Sequence, residues 1–150
     1  CGDDIVFRTK HWDTLVKDAI DSHAGKIAFV WGNDMTPESQ RNVFGTHGFI
    51  HRNWTDAIGR FCPPYFASDY NDTWFNDVAR LVNVAHYLPE VWTEHMHYSV
   101  DKAEIDQNTK DRLERHNATH PENKYKDTLQ ERYDEAEKLR HIINKALEDA

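Results

Sequence analysis

The stretch Ile27-Ala28-Phe29-Val30-Trp31, followed by Gly32-Asn33-Asp34, decides the fold class of this chain. An apolar run rich in aromatic and β-branched side chains is typical of a buried strand. Upstream, apolar residues recur at three- and four-residue spacing over 12–20, which predicts an amphipathic helix that Gly25 ends in a left-handed conformation. Before that helix, Ile5-Val6-Phe7 predicts a short strand. A helix between two short apolar strands predicts an α/β layer.

The chain downstream of this layer predicts further short elements. Residues 32–46 have no period and are rich in turn-forming residues, which predicts a loop. We expect these elements to follow: a strand at 48–51, a helix at 54–58 that Asn53 or Thr55 caps and Gly59 ends, and a helix at 72–82. Pro89 separates 85–88 from 91–97, so this segment is a strand pair or one bent strand, because proline breaks a central strand.

The C-terminal third differs in composition from the rest of the chain. From Asp101 onward charged residues dominate, and Trp and Phe no longer occur. Pro121 divides this tail, and a helical stripe over 125–147 predicts a long surface helix packed along one narrow face. We therefore expect an α/β domain at 1–100 and a charged helical extension at 101–150.

Composition excludes several classes of protein. The chain has 150 residues, and its 39% hydrophobic and 12% aromatic content is too high for a disordered protein. The formal net charge of −8 argues against a broad nucleic-acid-binding or lipid-binding surface, since both need positive charge. Two cysteines, Cys1 and Cys62, make no disulfide framework and favour a reducing compartment. Without an apolar span or a signal peptide, the expectation is a soluble cytoplasmic protein.

Two motifs offer ligands for a metal. Asp3-Asp4 lies at a strand edge, where a hard cation such as Mg²⁺ or Mn²⁺ would offset the repulsion between adjacent carboxylates; the alternative is a solvated turn. In Glu94-His95-Met96-His97, a strand places His95 and His97 on one face, where two imidazoles suit a transition metal. The alternative is that both are ordinary structural histidines.

Two further motifs suit substrate chemistry. Asp69 and Asp72 stand before an aromatic helix, where Asp72 in the first turn suits a catalytic base and Asp69 or Asn71 suits a helix N-cap. Gly32-Asn33-Asp34 follows a buried strand, at the position where open α/β sheets bind ligands, although a plain turn explains it as well. Arg8 follows the first strand and suits a phosphate contact or simple solvation.

In their order, these pieces resemble the catalytic half of GT-A glycosyltransferases, in particular the small glycosyltransferases encoded by bacteriophages. The resemblance runs from residue 2 to about 110 and includes these matching segments: Gly2-Asp3-Asp4, Phe7-Arg8-Thr9, Trp12-Asp13, Val30-Trp31-Gly32-Asn33-Asp34, Tyr70-Asn71-Asp72, Trp74, Tyr87-Leu88-Pro89-Glu90-Val91, Glu94-His95-Met96-His97, Lys102 and Asp106. It implies a partial GT-A, Rossmann-like three-layer domain with a helical C-terminal tail.

The resemblance also implies roles for individual residues. Asp4 corresponds to a direct ligand of Mn²⁺ or Mg²⁺, and Asp3 lies nearer the nucleotide. His97 corresponds to the family's C-terminal metal ligand, with His95 as the second choice. Asp72 corresponds to the base that receives the proton of the acceptor, with Asp69 as its competitor. The glycine-containing loop Gly32-Asn33-Asp34 would line the donor sugar.

These roles imply transfer of a sugar from a nucleotide-sugar donor to an acceptor that the sequence does not name. In the family, nucleotide-binding elements precede the acidic motif, and here nothing precedes Cys1. The resemblance therefore implies a fragment that lacks its N-terminal half and turns over weakly or not at all alone, in the host cytoplasm if phage-encoded. Two other hypotheses stay open: a metal-dependent hydrolase that uses His95 and His97, and a non-catalytic interaction module.

Overall fold

The computed structural model of the protein describes residues 4–37, 44–67 and 69–150. Its strands are β1 (Ile5–Phe7), β2 (Phe29–Asn33), β3 (Gly48–Phe49) and β4 (Ala85–His95). Its α-helices are α1 (Trp12–Asp21), α2 (Arg52–Ile58), α3 (Asn71–Leu81), α4 (Gln107–Thr119), α5 (Pro121–Asp127) and α6 (Leu129–Glu148). Ala24–Lys26 and Tyr98–Val100 form short 3₁₀ turns.

The four strands form one mixed sheet in the order β1-β4-β2-β3. The long central strand β4 pairs antiparallel with β1, where Ile5 faces His95, and parallel with β2, where Phe29 faces Ala85. The short strand β3 pairs antiparallel with β2 at the other edge. The predicted α/β class is confirmed. Predicted strand 48–51 is shorter in the structure, which keeps only Gly48–Phe49.

Helices cover both faces of the sheet. Alternate residues of β2 point to opposite sides, so they pack against different helices. Phe29 and Trp31 belong to the larger core cluster, which contains side chains from α2, α3 and α6. Val30 belongs to a second cluster with Val16 and Ile20 of α1. The sheet therefore lies between α1 on one side and three helices on the other.

Pro89 does not break the central strand, so the predicted strand pair is wrong and the alternative, a single strand, is present. β4 is continuous from Ala85 to His95, and its pairing with β2 shifts between Gly32, which faces Leu88, and Asn33, which faces Trp92. The proline lies in the segment that this shift passes over, where a missing N–H costs no bond of the ladder. Gly32 allows the shift, since a Cβ there would lie 2.2 Å from the carbonyl oxygen of Val91.

Helix ends differ in detail from the predictions. α1 ends at Asp21, and Gly25 adopts its left-handed φ of 63° inside the following 3₁₀ turn. α2 is capped by neither Asn53 nor Thr55, because Nδ1 of His51 accepts the hydrogen bond from the backbone N–H of Asn53 at 3.1 Å. Gly59 ends α2 with a left-handed φ of 87°, as predicted.

The C-terminal tail forms three helices rather than one long helix over 125–147. α5 ends at Asp127, and α6 starts at Leu129. Only part of the predicted stripe is buried: Ala136 and Leu139 are inside, whereas Leu129, Tyr133 and Leu147 are exposed. The inward face of α6 also includes the polar residues Arg132 and Glu135, which hydrophobic spacing cannot reveal. In the described ranges, no helix is long and apolar enough to cross a membrane.

Candidate metal centre and adjoining cavity

The parallel pairing of β2 and β4 brings residues from distant parts of the chain to one edge of the sheet. Asp34 follows β2, and its carbonyl oxygen accepts a hydrogen bond from the backbone N–H of His95 at 3.0 Å. Asp4 precedes β1, and its carbonyl oxygen accepts one from the N–H of Met96 at 2.8 Å. Backbone pairing thus fixes Asp4, Asp34 and His95 side by side.

Asp34, His47 and His95 form a group that could hold a metal ion, which we call the Asp34 cluster. Each contributes one possible ligand atom, and these atoms lie within 4.8 Å of one another. Asp34 is only 2% exposed, and the rings of His47 and His95 meet edge to face at 4.6 Å. Two imidazole nitrogens and one carboxylate oxygen are a donor set that binds transition metals.

The electrostatics of His47 keep it in the form that binds a metal. Burial, reinforced by the neighbouring His95, lowers the pKa of His47 to about 4, against the opposing effect of the carboxylates Asp34 and Asp4. The imidazole is therefore neutral at pH 7 and has a lone pair to donate. Its Nε2 atom is buried and has no hydrogen-bond partner among the residues that the structure describes.

Asp4 lies against the Asp34 cluster, whereas His97 is engaged elsewhere. Oδ2 of Asp4 is 3.0 Å from Nε2 of His95. The ring of His97 is 4.8 Å from that of His95, but its Nδ1 atom lies 2.7 Å from Oγ of Ser99, where the ring caps a 3₁₀ turn. The family resemblance favours His97 over His95 as a ligand, whereas the geometry places His95 in the Asp34 cluster. Asp3 lies outside the described residues.

A cavity of about 1090 Å³ adjoins the Asp34 cluster and shares His47 with it. Aromatic side chains form much of its wall: Phe7, Trp12, Phe29, Phe49, Phe61, Tyr70 and Phe75. Phe7 and Trp12 stack at 4.1 Å between ring centroids. The polar part of the wall includes Asp69, Asp72 and Arg112. The predicted catalytic carboxylates therefore border the same space as one histidine of the cluster.

The two carboxylates of the cavity wall have opposite electrostatic character. Burial raises the pKa of Asp72 and outweighs the hydrogen bond of 2.7 Å that its Oδ1 atom accepts from the N–H of Thr73. Burial also acts on Asp69, but hydrogen bonds from His116 and Arg112 outweigh it and lower the pKa of Asp69. Those bonds measure 2.6 Å from Nδ1 of His116 and 2.7 Å from Nη1 of Arg112.

Neither predicted N-cap is present at the start of α3. The cap position is Tyr70, which has a left-handed φ of 75° and makes no side-chain capping bond. Asp69 instead reaches α4, where Arg112 and His116 lie one turn apart. The alternative in which Asp69 or Asn71 caps this helix is therefore wrong, and Asp69 makes long-range ion pairs instead.

The other predicted substrate-binding residues have structural partners. Nε of Arg8 donates to Glu94 at 2.8 Å, and Lys102 binds the same carboxylate at 2.6 Å. Oδ1 of Asn33 accepts from the N–H of Met35 at 2.9 Å, and Oδ1 of Asp34 accepts from the N–H of Thr36 at 2.9 Å. The loop after β2 is thus shaped by its own side chains.

Sequence reasoning missed the contribution of three residues to this region. His47 is not among the metal ligands predicted from the sequence, and no role was predicted for Arg112 or His116. His47 is 13 positions from Asp34 and 48 from His95, so no local spacing links the three. Arg112 and His116 share a helix face at i and i+4, which is the one signal that a sequence offers for their joint action.

Comparisons of the chain with protein-family models, with curated proteins and with solved structures gave no match.

Proposed function

We propose that the protein is the catalytic half of a metal-dependent glycosyltransferase of the GT-A type. One observation carries the proposal: Asp4 and His95, 91 positions apart, touch beside a cavity whose wall contains Asp72. The resemblance implies that the acidic motif and the late histidines meet at one ion, with His97 as the first choice and His95 as the second, and it is His95 that Asp4 contacts. The mixed sheet covered by helices on both faces is compatible with part of such a domain.

The residues at the edge of the sheet fit a divalent cation. They supply carboxylate and imidazole donors, and the buried Nε2 of His47 has no hydrogen-bond partner among the described residues. A bound cation would neutralise negative charge on a departing nucleoside diphosphate. Such an ion also explains how a chain with a net charge of −8 accepts an anionic donor.

Asp72 is the better base of the two carboxylates in the cavity. Its raised pKa reflects a desolvated site in which accepting a proton is favoured. Asp69 is committed to Arg112 and His116, which stabilise its ionised form. In the proposed reaction, Asp72 takes the proton of an acceptor hydroxyl while that oxygen bonds to the anomeric carbon. The bond from that carbon to the diphosphate breaks, and the nucleoside diphosphate leaves.

The aromatic wall of the cavity suits a sugar as one of the ligands. Phe7, Trp12 and Phe49 lie together, with centroid distances of 4.1 to 6.4 Å. Apolar walls with a few polar groups are typical of small-molecule sites, and flat rings pack well against the apolar face of a pyranose. Asp69 and Arg112 would then contact hydroxyl groups at the rim.

A metal-dependent hydrolase is the second candidate, and the composition of the Asp34 cluster favours it. Two histidines and one carboxylate are typical of transition-metal sites that activate water. The histidine pair would be His47 and His95 rather than His95 and His97. In this reaction Asp72 would accept a proton from water instead of from an acceptor.

The test is release of nucleoside diphosphate from a panel of nucleotide sugars in the presence of Mn²⁺. It compares the unmodified protein with Asp72→Asn and with the exposed control Asp127→Asn. Because the resemblance places nucleotide-binding elements ahead of residue 1, the panel is run on this chain and on a longer polypeptide that includes such elements. We expect Asp72→Asn to lower turnover by about 100-fold or more and the control to leave it unchanged.

Equal turnover by Asp72→Asn and the unmodified protein would contradict the proposed base. Absence of sugar transfer by the longer polypeptide, together with hydrolysis of simple phosphate or acyl esters in the presence of Zn²⁺, would favour the hydrolase. Inactivity toward every substrate in both forms would favour the non-catalytic interaction module.

A further inference from the structure

We propose that Asp34, His47 and His95 are the direct ligands of a first-row transition-metal ion such as Mn²⁺, Fe²⁺, Co²⁺ or Zn²⁺, and that Asp4 orients His95. This assignment differs from the one that the family resemblance implies, in which Asp4 and His97 are the ligands. It is argued from these side chains alone and holds whether or not sugar transfer is the reaction.

A rigid framework of paired strands holds the three ligands. Asp34 directly follows β2, and His95 is the last residue of β4, with which β2 pairs. A hydrogen bond of 3.0 Å joins their backbones. His47 directly precedes β3, which pairs with β2 through Gly48 and Trp31. His95 ends β4, and Asp34 and His47 each lie one residue from a paired strand, so neighbouring strands of one sheet anchor the three ligand atoms, which lie within 4.8 Å of one another.

Without an ion, the Asp34 cluster leaves a buried polar atom without a hydrogen-bond partner among the described residues. Asp34 is 2% exposed, and Nε2 of His47 is buried without a hydrogen-bond partner in the described part of the chain. Buried polar atoms are normally satisfied, so an orphaned imidazole nitrogen beside a carboxylate needs an explanation. Edge-to-face packing of His47 on His95 explains the contact between the rings but not the unsatisfied nitrogen. A cation between them accounts for both.

Asp4 lies where its carboxylate can orient the ring of His95. Its carboxylate contacts Nε2 of His95 at 3.0 Å, and its side chain is about one-third exposed at 35%, whereas Asp34 is buried. A carboxylate hydrogen-bonded to a ligating imidazole fixes the orientation of the ring and raises its basicity. Asp4 is therefore a positioning residue for the site.

The donor set determines the class of ion. Mg²⁺ and Ca²⁺ prefer oxygen ligands, and two imidazole nitrogens out of three protein donors disfavour them. His97 is not part of the group whose ligand atoms lie within 4.8 Å of one another, and its Nδ1 atom lies 2.7 Å from Oγ of Ser99. We thus expect the site to select a transition metal over Mg²⁺ by a wide margin.

The experiment is calorimetric titration of chelator-stripped protein with Mn²⁺, Zn²⁺ and Mg²⁺, without any nucleotide sugar. We expect one site for Mn²⁺ and Zn²⁺ and an affinity for Mg²⁺ that is at least about 100-fold weaker. His47→Ala should weaken Zn²⁺ binding by about 100-fold or more, and Asp4→Asn by about 10-fold. His97→Ala and the exposed control His141→Ala should leave the affinity unchanged.

Loss of binding in His97→Ala with no change in His47→Ala would overturn the assignment and restore Asp4 and His97 as ligands. Equal Zn²⁺ affinity in all variants would also overturn it. If His47→Ala does not fold, NMR of the unmodified protein decides, because bound Zn²⁺ should shift the ring-nitrogen signals of His47 and His95 but not those of His116 or His141. Shifts of the surface histidines alone would refute the site.

Discussion

Two regions of the molecule bury charged or polar side chains, and they do so in opposite ways. At the junction between α6 and the core, Glu135 accepts a hydrogen bond from Nε1 of Trp74 at 2.8 Å and pairs with Arg60. In the Asp34 cluster, the buried Nε2 of His47 has no such partner within the described residues. Protein side chains alone therefore satisfy Glu135, whereas the metal ion that we propose for the Asp34 cluster would satisfy His47.

The junction illustrates how the charged tail becomes part of the fold. Arg132 lies 3.8 Å from the centroid of the Tyr125 ring, and its Nε atom is 3.3 Å from Asp77. Leu139, which is fully buried, enters the larger core cluster. The junction therefore contributes to stability, whereas the Asp34 cluster is the region that we propose binds a metal.

The largest expected effect comes from breaking the junction. Glu135→Ala removes the acceptor of Trp74 and leaves Arg60 without its carboxylate, so we expect the free energy of unfolding to fall by about 3 kcal/mol. Urea unfolding measures this change. The matched control is Glu137→Ala, whose side chain is 71% exposed, and it should change stability by less than about 0.5 kcal/mol. Equal effects of the two substitutions would contradict the role assigned to Glu135.

The second effect concerns the Asp34 cluster: binding of a metal there should raise the free energy of unfolding. Zn²⁺ or Mn²⁺ at about 100 times its dissociation constant should stabilise the unmodified protein by about 2.7 kcal/mol. His47→Leu should abolish this gain, and in the absence of metal it should leave stability unchanged or raise it by up to about 1 kcal/mol. Thermal unfolding with and without metal measures both. A metal-free loss as large as that of Glu135→Ala would mean that His47 is a structural residue.

The smallest expected effect is a difference between Asp72 and Asp69 in how their ionisation changes stability with pH. The pKa of Asp72 is raised in the folded protein, so its ionisation costs stability as the pH rises through that value. The pKa of Asp69 is lowered, so its contribution is present above the ordinary value of 3.8 and disappears as the pH falls through the lowered pKa. At pH 7, Asp72→Asn should therefore stabilise the protein and Asp69→Asn should destabilise it, each by about 1 kcal/mol.

Urea unfolding of both variants from pH 3 to pH 7 measures these differences. The advantage of Asp72→Asn should fade as the pH falls through the raised pKa of Asp72 and should be gone below 3.8, the ordinary value for this group. If the unmodified protein and Asp72→Asn had the same free energy of unfolding at every pH from 3 to 7, burial would not perturb this carboxyl group.

Local pattern was sufficient to predict several elements of the fold. β1, α1 and α3 fall close to the predicted positions because each depends on spacing within its own segment. The break at Thr128 and the inward turn of Arg132 and Glu135 were not predictable, because partners such as Trp74 and Asp77 lie far away in the chain. Tertiary pairing overrode the periodicity of the tail.

The candidate site was predictable only in part, for the same reason. The sequence singled out Asp4, His95 and Asp72 as residue types with suitable chemistry, but their mutual distances depend on the order of the strands. His47 could not be recognised as a partner of Asp34, because β3 carries no pattern that indicates its neighbour. The continuity of β4 through Pro89, which brings His95 to the site, required the register shift opposite Gly32.

The most direct test of the central claim is a crystal structure of the protein soaked in Mn²⁺, with anomalous scattering measured near the manganese edge. The claim predicts one strong anomalous peak between the side chains of Asp34, His47 and His95, with Asp4 hydrogen-bonded to His95. A peak between Asp4 and His97, or occupancy of surface carboxylates with none at the Asp34 cluster, would contradict it.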